Sequence, residues 1–134
     1  MNAAQAGIYQ KLEILLDWVE PVIDRLPKTL TLQELGRKAV QDILNSMDLV
    51  TFALKAKRGQ ERLAYIDALI VHMTDLKTIF RHFRRRSGRQ DPRVLTAEQF
   101  ATFIALLHPI SAEVGRWRAG NAGDCPPGSS DRRK

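Results

Sequence analysis

Along four successive stretches of this chain the apolar residues return every three or four positions, and nowhere do apolar and polar residues alternate between hairpin signals. That spacing puts the apolar positions on one face of a helix, whereas a strand demands a period of two. The chain is therefore expected to be all-α, and four amphipathic helices joined by short connections predict an up-down-up-down four-helix bundle. Its 134 residues suffice for one domain with a core of its own. A hydrophobic fraction of 44% beside 27% charged residues is that of a folded domain and not of a disordered chain.

The first stripe runs Ile8, Leu12, Leu15, Val19, Val22 and Leu26. Pro21 lies inside it, removes one backbone donor and is expected to bend helix one without changing its phase; Pro27 supports its end. Tyr9, Ile14, Leu16, Trp18 and Ile23 widen this face beyond one core stripe, which favours coverage by a second subunit over burial within the monomer. Thr31 with Glu34 has the spacing of a capping box for helix two, whose stripe is Leu32, Leu35, Ala39, Ile43, Met47, Val50 and Leu54. Gly59 breaks the chain before helix three, which carries Leu63, Ile66, Leu69, Ile70, Met73, Leu76, Phe80 and Phe83. The polar stretch from Arg84 to Arg93 closes that helix and forms a loop. Thr96 and Gln99 repeat the capping-box spacing before Phe100, Phe103, Leu107, Ile110, Val114 and Trp117, with Pro109 expected to bend helix four.

The bundle is predicted over residues 1–119, and the Gly- and Pro-rich stretch 120–134 is predicted to be a disordered basic tail. The lone Cys125 in that stretch has no second cysteine to pair with, and its place there is incidental. No apolar run approaches the ~20 residues that span a bilayer, and the first residues lack the basic-then-apolar pattern of an export signal. The expected location is cytoplasmic.

Catalytic arrangements are conspicuous by their missing partners. A di-iron bundle uses Glu-x-x-His pairs, but the residues three before His72, His82 and His108 are Leu69, Ile79 and Ala105. There is no Cys-x-x-Cys, His-Glu-x-x-His or Gly-rich phosphate loop, so no metal and no cofactor is expected. Helical ribonucleases of the HEPN class place His a short fixed interval after Arg; here only Lys77 before His82 comes near that pattern. The chain is read as a non-enzyme, with its histidines in packing or surface roles.

Charge is where the sequence departs from an ordinary bundle. Residues 1–76 carry nine Lys or Arg against ten Asp or Glu, whereas residues 77–118 carry nine against three. Lys77, Arg81, Arg84 and Arg85 fall at i, i+4, i+7 and i+8, forming one ridge along helix three, and Arg86, Arg89 and Arg93 extend it. One or two cations at a helix C-terminus complement the helix dipole, each by about 0.3 to 1 kcal/mol. Six arginines between 81 and 93 exceed that need and point to binding of phosphate or of an acidic protein surface. No aromatic residues are interleaved on this polar face, which argues against base stacking there and hence against sequence reading.

Three segments carry a resemblance: Trp18-Val19-Glu20-Pro21 inside helix one, Leu76-Lys77-Thr78-Ile79-Phe80-Arg81 in helix three, and Ala112-Glu113-Val114-Gly115-Arg116-Trp117 closing helix four. In this order of elements the chain resembles the accessory variability determinant (Avd) proteins of diversity-generating retroelements. These lie within a wider group of four-helix-bundle proteins that includes those encoded by intervening sequences in 23S ribosomal RNA genes. The resemblance covers the chain to about residue 119. It implies a basic, barrel-like homopentamer that associates with the retroelement reverse transcriptase and its template RNA and supports mutagenic cDNA synthesis (mutagenic retrohoming), without catalysis of its own. The family's basic pair on helix three falls on Lys77 and Arg81, with Lys where the pattern has Arg. Arg116, in the closing segment, joins the candidate contacts. The alternative is a general nucleic-acid-binding bundle of the intervening-sequence type, with no polymerase partner.

Overall fold

Four long helices follow one another in the computed structural model, which describes residues 3–87 and 94–123, with side chains from 7–86 and 94–122. They are α1 (Ala3–Asp24), α2 (Leu30–Lys55), α3 (Gln60–Ser87) and α4 (Ala97–Gly123), and no strand occurs among the described residues. α2 packs on α1 and α3, and α4 packs on α3 and α1, so the four helices form a closed square of neighbours around one core. This is the four-helix bundle expected from the periodicity.

The core is the sum of the helical stripes. Ile8, Leu12, Leu15, Val19, Val22 and Leu26 of the first stripe are all buried, as are Phe103, Leu107, Ile110, Val114 and Trp117 of the last. At the α3–α4 end an aromatic cluster fills the interior: the Phe80 and Phe103 rings stack at 3.9 Å and 3°, Phe83 meets Phe80 edge-on at 5.3 Å, and Trp18 approaches Phe80 at 6.3 Å. Such contacts contribute beyond the area they bury.

Both internal prolines lie within continuous helices, Pro21 in α1 and Pro109 in α4. α1 tightens at its end, where Leu26 N donates to Ile23 O, and Thr29 N then donates to Pro27 O. This turn reverses the chain early, so α2 begins at Leu30 with Thr29 as its N-cap; Thr29 Oγ1 accepts from Leu32 N at 3.3 Å. The cap expected at Thr31 is thereby displaced by two residues. At the α2–α3 turn Gly59 adopts φ +92°, a left-handed conformation that a residue with a Cβ resists. The second capping box forms as expected: Thr96 N donates to Gln99 Oε1 at 2.9 Å and Gln99 N to Thr96 Oγ1 at 3.0 Å. Leu95, just before it, is fully buried.

Two further boundaries differ from the sequence expectation. α3 continues through Arg84, Arg85 and Arg86, which belong to its last turn and not to a loop. α4 extends to Gly123, four residues past the boundary at 119, because Asn121 returns to the core side of the helix, is buried, and donates to Trp117 O at 3.0 Å. Cys125 and the rest of the expected tail, residues 124–134, lie outside the described residues.

The surplus apolar face of α1 is largely used inside the monomer. Tyr9, Leu16, Trp18 and Ile23 are partly buried against the core, and Ile14 alone of the set stays outward, at 55% exposure. No helix is long and apolar enough to cross a membrane among the described residues.

Candidate functional site

Helical phase sends the candidate cations to two different places. Lys77 is half-buried in the seam between α3 and α4, where it lines a groove of about 210 Å³ with Ile70, Met73, Thr74, Leu107, Ser111 and Gly115. A smaller hollow beside it adds Ile104 and His108 to its neighbours. A lysine so placed brings positive charge to a wall that is otherwise largely apolar. Arg81 and Arg85 are exposed on the open surface.

Arg84 and Arg86 are drawn partly inward. Arg84 Nη1 donates to Leu95 O at 3.5 Å, bridging the end of α3 to the segment that leads into α4. Arg86 is half-buried, and its Nε has no hydrogen-bond partner among the described residues. Arg116 is exposed on α4 but does not line the Lys77 groove, which takes Ser111 and Gly115 from that helix instead. Arg89 and Arg93 lie outside the described residues. Thus Lys77, Arg81, Arg84, Arg85 and Arg86 share one stretch of α3, and Arg116 stands apart.

The acidic residues have a different disposition. Glu113 accepts from Lys11 at 2.6 Å across the α1–α4 seam, and Asp67 from Arg118 at 2.6 Å across α3–α4. Lys38 bonds to Asp75 across α2–α3. The hydrogen bond to Asp75 raises the Lys38 pKa above its ordinary 10.5, helped by the charges of Asp42 and Asp75 and opposed by desolvation. Asp67 likewise raises the pKa of Arg118.

Asp42 is the buried member of this set, only 3% exposed, with His72 Nδ1 at 2.9 Å from Oδ1 and Lys38 Nζ at 3.9 Å from Oδ2. Periodicity of large apolar residues passed over it. α2 in fact presents Gly36, Asp42 and Ser46 to the interior, while Leu35, Met47 and Leu54 sit at the shoulders. The signal available was the helical phase that these small and polar positions share with the buried stripe.

These carboxylates therefore bridge helix seams. No carboxylate among the described residues lies within ion-pair distance of Lys77, Arg81, Arg84, Arg85 or Arg86. A second groove, of about 460 Å³, lies on the opposite α1–α2 seam and has the reverse character: Glu13 and Asp17 rim it, with Ile14, Leu16 and Met47 between. Among the described residues no group of three or more His, Cys, Asp or Glu is placed to hold a metal ion. No family model matches the chain, and no curated protein or solved structure matches it.

Proposed function

We infer that this protein is a non-catalytic accessory subunit that binds a reverse transcriptase and its template RNA through the cationic stretch of α3, supporting mutagenic cDNA synthesis in a diversity-generating retroelement. The observation that carries the binding surface is that Lys77, Arg81 and Arg85 have no carboxylate within ion-pair distance among the described residues, while Glu113, Asp67 and Asp75 bridge helix seams elsewhere. A cluster of exposed cations raises the local potential and attracts phosphate or acidic side chains. The polymerase and the retroelement setting rest on the sequence resemblance alone. A homopentamer is part of the same proposal; it rests on the resemblance and on exposed Ile14 in the acid-rimmed α1–α2 groove, which leaves a face for another copy away from the cationic stretch.

The test is Lys77→Ala combined with Arg81→Ala. Arg81 is exposed and alanine is the best helix former, so the fold survives; Lys77 gives up some stem packing, and the melting temperature falls by no more than a few degrees. Co-purification with the reverse transcriptase collapses, and RNA affinity drops with a shallower dependence on salt. Capture of the polymerase at wild-type levels would move the contact elsewhere. Salt-sensitive RNA binding without any capture of the polymerase by the unsubstituted protein would favour the general nucleic-acid-binding bundle instead.

A further inference from the structure

The opposite end of α3 holds a feature that the cationic stretch does not use. Phe52, in the last turn of α2, is 49% exposed although its neighbour Ala53 and nearby Val50 are fully buried. Its ring lies against that of Tyr65 on α3, with centroids 5.8 Å apart and planes at 47°. Tyr65 is packed on the core and so supports the pair from below.

The surroundings of the pair are basic and rigid. Lys55 follows Phe52 by three positions on the helix, and exposed Lys57 and Arg58 continue into the turn. Arg62 donates to Ala53 O, Leu54 O and Ala56 O, so the carbonyl end of α2 is neutralised and does not repel an approaching phosphate. The same three bonds fix the turn that holds the two rings in place. Exposed Asp48 and Glu61 reduce the local positive charge but do not cancel that of Lys55, Lys57 and Arg62.

We propose that Phe52 and Tyr65 form a base-stacking platform for single-stranded nucleic acid, with Lys55 and Lys57 holding the backbone. An exposed ring offers a face to an unpaired base, whereas a duplex keeps its base faces stacked inside. A protein anchor would need apolar neighbours around the ring. The next exposed large apolar residue on α2 is Leu44, two turns away with Asp48 between. The platform lies about 18 Å along the helix axis from Lys77, by the rise per residue, so it adds a separate contact to the nucleic-acid binding already proposed, on which it rests.

The experiment compares a short oligoadenylate with an abasic strand of equal length and charge, and with a duplex. The wild-type protein binds the oligoadenylate about five- to one-hundred-fold tighter than the abasic strand. Phe52→Ala and Phe52→Leu abolish that preference and leave both abasic binding and the salt slope unchanged, while Phe52→Trp keeps the preference. The Lys77→Ala, Arg81→Ala protein loses affinity for both strands yet keeps their ratio. Equal wild-type affinity for the two strands overturns the platform and leaves the electrostatic reading standing; binding of neither strand overturns both. A Phe52→Leu protein that retains the preference, or a Phe52→Ala protein that changes oligomeric mass but not the preference, assigns the ring to a protein contact and overturns the proposal as well.

Discussion

A methyl group added at Gly36 would lie 2.7 Å from Ile23 Cγ2 and 3.3 Å from Leu26 Cδ1. Ile23 is β-branched, so its Cγ2 cannot swing away without a change of rotamer. Gly36→Ala thus sets a gain in helix propensity of about 1 kcal/mol against overpacking of about 1 to 3 kcal/mol, and net destabilisation of about 1 kcal/mol is expected. In an Ile23→Ala background the same substitution becomes neutral or stabilising, which denaturant titration of the four proteins of the cycle measures. Stabilisation in both backgrounds would mean that the end of α1 moves aside freely. Residue detail of this kind escapes hydrophobic patterning. The same holds for Asp42 and for Phe52, each a residue whose chemistry contradicts its helical phase: a carboxylate on the inner side, a phenyl ring on the outer.

At the scale of elements the legible part is larger. The three- and four-residue spacing located all four helices, because a helix in a folded protein owes most of its stability to burying one face, and the period alone reveals that face. Helix ends depend on single hydrogen bonds, and there the spacing pointed to Thr31, two residues past the residue that caps. The turn from Pro27 selects Thr29. Thr29→Ala is expected to destabilise the protein by about 1 kcal/mol, while Thr31→Ala on the exposed first turn stays within about 0.5 kcal/mol. Thermal melts of the two variants check this, and the reverse order would restore the cap to Thr31. The cationic stretch was equally legible as a spacing on α3. Its division into a groove lysine, two outward arginines and two half-buried ones was not, since that depends on where α4 and the residues before it come to rest.

For the whole molecule the open matter is assembly. Most of the broad face of α1 is covered within the monomer, so the demand for a partner is narrower than its sequence implies. What remains is Ile14 in the acid-rimmed groove of the α1–α2 seam, on the side of the bundle away from the cationic stretch of α3. A contact joining two different patches propagates from copy to copy and closes into a ring when the rotation permits. Size exclusion with light scattering at micromolar concentration is expected to give a pentamer, five times the 15.2 kDa of the chain, and Asp17→Lys is expected to weaken it. A monomer at every concentration would remove the pentamer from the proposed function without touching the cationic surface.

The bond from Arg84 to Leu95 gives the α3–α4 connection a clasp. With Leu95 sunk in the core and Thr96 locked to Gln99, both ends of the intervening stretch are fastened to each other before any residue inside it is considered. Doubling the length of a stretch held this way costs only about 0.6 kcal/mol of closure entropy. The bundle thus has a natural splice point: segments can be exchanged there, as attachments are on a tool, while the handle stays the same.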